Sequence, residues 1–100
     1  RDGKIDFLNW GGDEIVRFIR AFSYPYLGAW AFYNDQQLHL LDASFSPSDN
    51  IHPFASGLAF RKNNNQLLVF VKNGILKIHA IEYQSKPLAI ASLKLGKKFS

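Results

Sequence analysis

The chain has 100 residues, with twelve Lys or Arg against eight Asp or Glu for a formal charge of +4, and 47% of its positions are hydrophobic. That is one domain's worth of polypeptide, whose core hides roughly two-thirds of the surface the unfolded chain exposes. There is no cysteine, so disulfides and thiolate zinc sites are excluded, and the longest apolar stretches fall far short of the roughly 20 residues of a membrane-spanning helix.

No basic start leads into an apolar stretch with a small-residue cleavage site, and no Asn is followed by x-Ser/Thr. The expectation is a cytoplasmic protein without a membrane partner. The charge is unevenly placed: residues 1–50 carry −3 and residues 51–100 carry +7. The basic second half suits an anionic partner such as nucleic acid or a nucleotide, although scattered lysines also simply solubilise strands.

In chain order, residues 1–10 read as a polar lead-in or linker from an upstream domain, and residues 11–100 as the domain itself. From Gly12 the apolar positions Ile15, Phe18, Ile19 and Phe22 follow helical spacing, with Asp13 and Glu14 early and Arg17 and Arg20 late. This predicts an amphipathic helix whose charges match its dipole, ended by Pro25. Residues 29–33 and 37–43 read as strands joined by Asn34-Asp35-Gln36, followed by a loop over 44–53 rich in Ser, Asp, Asn and Pro. Strands are expected at 57–62, 66–72 and 75–83, separated by Asn63-Asn64-Asn65 and by the hairpin signal Asn73-Gly74. In the tail, Leu88, Ile90, Leu93 and Leu95 suit either an extended segment or a frayed helix.

The pattern predicts a mainly β fold, a small OB-like Greek-key barrel of five to six strands preceded by one amphipathic helix, since closure removes exposed sheet edges. On the last clear strand Leu76, Ile78 and Ala80 are expected to face inward, with Lys77 and His79 forming a basic strip outside.

Catalytic patterns are not found. His39, His52 and His79 lack metal-ligand spacing, the serines lack a nucleophile-turn context, and Asp13-Glu14 is explained by helix capping and dipole complementarity. Gly11-Gly12 lacks the remainder of a phosphate loop. Accordingly no catalytic residue, metal site or cofactor is assigned to this chain. Binding has better candidates. Tyr24, Tyr26, Trp30, Phe32 and Tyr33 cluster after the helix, and aromatics beside basic residues offer stacking surfaces to single strands or nucleotide bases. Trp30 and Phe32 read as core filling, whereas Tyr24 and Tyr26, flanking Pro25, suit packing and binding equally. Arg61, Lys62, Lys72 and Lys77, on or beside strands of the basic half, complete the binding candidates.

A more specific signal lies in Ile5-Asp6-Phe7, then Ile19-Arg20-Ala21, then Pro25-Tyr26-Leu27-Gly28-Ala29-Trp30. These resemble the junction and first part of the C-terminal domain of the formyltransferase family, whose usual pattern is Ile-Asp-Trp, a helix ending Ile-Arg-Ala, and a Pro-x-Pro-Gly-Ala turn. Phe7 stands where the family has Trp, and Leu27 where it has the second Pro. The stretch from Leu68 through Asn73-Gly74 to Ile78 is similar to the family's final hairpin.

The resemblance implies a C-terminal domain attached to an N-terminal Rossmann-type domain, which binds formyltetrahydrofolate and holds the catalytic Asn, His and Asp. No segment here matches the His-x-Ser-Leu-Leu-Pro neighbourhood of that triad, so this chain is expected to be inactive alone. Its implied partners are that catalytic domain and an acceptor, methionyl-tRNA or a nucleotide-linked amino sugar. The rival readings are a free-standing OB-type nucleic-acid-binding module and a purely structural domain.

Overall fold

The structure is a computed structural model that describes residues 3–23 and 28–100. The helix α1 spans Gly12–Ala21, with Ile15, Val16 and Ile19 on its buried side and Asp13 and Glu14 in its first turn. Asp13 and Arg17 meet at 3.5 Å with both side chains exposed, a contact of small energetic weight. Pro25, predicted to end the helix, lies outside the described residues; the helix has already closed at Phe22, whose N–H donates to the Phe18 carbonyl.

The N-cap residue Gly11 supplies no side-chain cap. A residue far along the chain does so instead: the Gly12 N–H donates to Oδ1 of Asn73 at 2.8 Å. Asp6 braces the turn before the helix. Its carboxylate accepts from the Leu8 and Asn9 backbone N–H groups at 3.1 and 3.0 Å. Those bonds and the Asn9 side-chain amide, the largest influence, hold its pKa below the ordinary range.

Six antiparallel strands follow: β1 (Ala29–Tyr33), β2 (Gln36–Pro47), β3 (Ala59–Lys62), β4 (Leu67–Val71), β5 (Gly74–Tyr83) and β6 (Lys86–Pro87). They form one sheet ordered β1-β2-β5-β4-β3, with β6 on β5. Strands β3, β4 and β5 make a meander, and β2, joined to β3 by a long connection, lies beside β5. That arrangement is a Greek key.

The chain ends close the sheet into a barrel. The Ser100 N–H donates to the Phe32 carbonyl at 2.9 Å and the Phe32 N–H returns to Ser100 at 2.8 Å. On its other side the same segment meets the start of β3 and the residues just before it, where Phe99 donates to the Gly57 carbonyl and Ala59 to the Lys97 carbonyl. Nearer its start, β1 pairs with the lead-in, as Ile5 donates to the Trp30 carbonyl and Trp30 to the Gly3 carbonyl. Residues 3–7 are therefore packed onto the barrel, with Ile5 and Phe7 in the core.

Inside, Ala29, Ala31 and Tyr33 of β1 face Leu38 and Leu40 of β2, Leu67, Val69 and Val71 of β4, and Leu76, Ile78 and Ile81 of β5. Three expectations change. The strand expected to end at Ala43 runs to Pro47, because Phe45 packs against the core and the ladder continues to Gly74. Ala80 does not share the face of Leu76 and Ile78; the register slips around Asp42 and Ala80, and Ile81 takes the inward position. The third concerns Asn73-Gly74. The turn residues are Lys72 and Asn73, with Val71 paired to Gly74, and neither has a positive φ. Gly74 is required by packing, since a Cβ there would meet the Ser46 carbonyl at 2.3 Å. The two-residue left-handed turns lie elsewhere, at Asn34-Asp35 and Gln84-Ser85, all four with φ between 51° and 67°.

Candidate anion-binding face

Period-two alternation sends every second side chain of β3, β4 and β5 outward. One outward row runs across four strands: Arg61 of β3 pairs with Leu68 of β4, Leu68 with Lys77 of β5, and Lys77 with Ser44 of β2. Arg61 and Lys77 thus sit on the same face one strand apart, separated by about 10 Å at ordinary strand spacing. Beside this row Phe60 and Phe70 stack with centroids 3.9 Å apart and planes 12° apart. His79 Nε2 lies 2.9 Å from the Ser44 hydroxyl, adding a polar pair next to Lys77. The sum is a shallow outer face with two cations, a stacked aromatic pair and hydrogen-bonding groups. Such a surface suits phosphates held by charge and geometry.

The remaining predicted residues go elsewhere. Lys62 pairs opposite the inward Leu67, and its ammonium donates to the Ala91 and Leu93 carbonyls at 2.7 and 2.5 Å. It ties the turn at Ile90–Ser92 to β3 rather than facing outward beside Arg61. Lys72 stands in the β4–β5 turn, where its ammonium reaches the Asn9 carbonyl at 3.4 Å. Tyr24 and Tyr26 lie outside the described residues.

The expectation that Trp30 and Phe32 fill the core is overturned. Ala29, Ala31 and Tyr33 take the inward positions, so Trp30 is half-buried and Phe32 exposed on the outside of β1. Their rings meet edge to face at 5.3 Å, with the Lys4 ammonium 5.5 Å from the Trp30 ring centre. Sequence reasoning missed Phe60 and Phe70 on the outer face. The available signal was their alternation with Ala59, Val69 and Val71. Among the described residues, no three His, Asp or Glu side chains converge into a metal site, and no helix is long and apolar enough to cross a membrane.

Fold and face together describe a closed Greek-key barrel, capped by a helix, with a basic and aromatic outer surface. The family model for the formyl transferase C-terminal domain matches residues 1–98, and the chain belongs to that family. Comparison with curated proteins finds no match.

Proposed function

We propose that this domain assists acceptor binding in a formyltetrahydrofolate-dependent N-formyltransferase whose catalytic residues and folate site belong to an N-terminal partner domain. The observation that carries this reading is the placement of Arg61 and Lys77 on one outward row beside the Phe60–Phe70 stack. Neither cation is spent on a backbone carbonyl as Lys62 is, and a planar guanidinium next to aromatic surface is a strong recogniser of phosphate. The acceptor this face fits best is tRNA, because rows of cations spaced across strands match a phosphate backbone better than one diphosphate.

The test is tRNA binding by the intact protein as a function of salt, with Arg61→Gln and Lys77→Gln combined. If each cation neutralises one phosphate, the slope of log affinity against log salt flattens by about 1.5 to 2. An unchanged slope assigns the acceptor to the amino-sugar class. Equal tRNA affinity with and without the catalytic domain would favour a binding module that works alone. Lys62→Gln serves as the contrast: it lowers stability and leaves the salt slope intact.

A further inference from the structure

Asn73 holds three parts of the fold together from the exposed β4–β5 turn. Its Oδ1 accepts from the Gly12 N–H at 2.8 Å, and its side-chain amide donates to the Asp13 carboxylate at 3.3 Å. Its own carbonyl accepts from the Ser48 N–H at 3.1 Å, just past the end of β2. The residue after it is Gly74, and no other asparagine in the chain precedes a glycine. An asparagine followed by glycine is the pair most open to attack by the next backbone nitrogen on the side-chain amide, because no side chain screens that nitrogen.

We propose that Asn73 is a deamidation site whose conversion is gated by the docking of α1. In the reaction the Gly74 nitrogen loses its proton to solvent base and bonds to Cγ of Asn73, while the Cγ–Nδ2 bond breaks and ammonia leaves. Water then opens the five-membered imide at one of its two carbonyls, giving an aspartate or an isoaspartate at position 73. The net change is one water taken up and one ammonia released. The docked fold opposes the first step. Cγ reaches the Gly74 nitrogen only by turning away from Gly12 and Asp13, and Gly74 is itself clamped, since a Cβ there would meet the Ser46 carbonyl at 2.3 Å. Conversion therefore waits for local openings in which helix and turn part. Once it has happened, the tie does not re-form. A carboxylate at position 73 faces Asp13 with like charge where the amide now donates. The helix N-terminus favours anions, but Asp13 and Glu14 already occupy that first turn. An isoaspartate adds a main-chain atom to a two-residue turn whose flanks, Val71 and Gly74, are paired. The site is thus a one-way recorder of α1 undocking, and it shares no residue with the Arg61–Lys77 face.

The test ages the intact protein in mildly alkaline buffer, folded and in denaturing urea. Mass spectrometry follows the gain in mass at each asparagine, and labelling by an isoaspartyl methyltransferase counts the isoaspartate product. Asn73 is expected to convert first, and at least about tenfold faster in urea than in the folded protein. Asp13→Ala removes the acceptor of the Asn73 amide and raises the folded-state rate by about threefold or more, as loss of one hydrogen bond allows. Glu14→Ala, which removes the other acid of the same helical turn, leaves that rate as it is. Deamidated protein, separated by its extra negative charge, unfolds at lower urea than the parent. The proposal is overturned if folded and unfolded rates agree, if Asp13→Ala and Glu14→Ala change the folded rate alike, if another asparagine converts before Asn73, or if the deamidated protein is as stable as the parent. Should Asp13→Ala fold poorly, the parent in urea below its transition reads the same gate: the rate climbs with urea when opening limits conversion, and a flat series overturns the proposal. These readouts are covalent, so failure here and failure of the acceptor reading, which rests on the salt dependence of tRNA binding, are told apart.

Discussion

The rings of Phe7 and Phe99, from opposite ends of the chain, stack with centroids 4.8 Å apart inside the barrel. Phe99 also packs on Tyr33 at 4.5 Å, so the lead-in, the first strand and the closing segment share one aromatic cluster. Closure therefore has a packing component as well as hydrogen bonds.

Phe99→Ala removes the side chain common to both contacts, at a site 3% exposed. The expected loss is about 3–5 kcal/mol, the range for a buried Phe cut to Ala. Urea denaturation checks it. A loss below about 1 kcal/mol would mean the closing segment is dispensable to the core.

Two glycines separate packing from backbone strain. At Gly74, whose φ is not positive, a Cβ would lie 2.3 Å from the Ser46 carbonyl and 2.9 Å from Pro47 Cα, both backbone atoms that move only if β2 and β5 part. Gly74→Ala is expected to cost about 3 kcal/mol or more. Gly96 has φ +89 with nothing within 4 Å of a new Cβ, so Gly96→Ala carries conformational strain alone, about 1 kcal/mol. Thermal midpoints of the two variants should rank in that order; the reverse order would contradict the close approach of the strands at Gly74.

Asn73 caps α1 from the β4–β5 turn, accepting from Gly12 N–H at 2.8 Å and donating to the Asp13 carboxylate at 3.3 Å. Asn73→Ala should cost about 1 kcal/mol, as for loss of a helix cap. The Asp13 pKa, held low first by the Asn73 side-chain amide, should rise toward its ordinary value. Carboxyl titration by NMR reads that rise, and an unmoved Asp13 would detach the turn from the helix.

Tyr33 is buried, and its hydroxyl donates to the Lys94 carbonyl. Burial raises its pKa above the ordinary value of 10.0. A phenol that stays neutral in the fold but ionises in the unfolded chain contributes stability that is fully present below about pH 10 and is lost as pH rises through the folded pKa. Tyr33→Phe should lower neutral-pH stability by about 1 kcal/mol through the lost hydrogen bond, yet show a shallower decline above about pH 10. Denaturation midpoints across the alkaline range decide it; parallel declines in both proteins would remove Tyr33 as the cause.

Local signals determined much of this protein. Helical spacing of Ile15 and Ile19, the polar turns and the alternation in β4 and β5 each act over a few residues, within reach of a sequence reading. The motifs from Ile5 to Trp30 and around Asn73 carried the family, which the match over residues 1–98 shows.

Tertiary structure decided the rest, because the deciding partners are distant in sequence. Residues 97–100 become an extended bridging segment only when Phe32 and Gly57 stand on either side of them. Ala29 to Tyr33 is apolar on both faces, so only the barrel could send Phe32 outward. The slip near Ala80 depends on β2, and Gly74 answers to Ser46 rather than to its own turn. Arg61 and Lys62 are equivalent in sequence, but a strand places neighbouring side chains on opposite faces. That alternation leaves Arg61 exposed on the outer face and gives Lys62 to the carbonyls of Ala91 and Leu93.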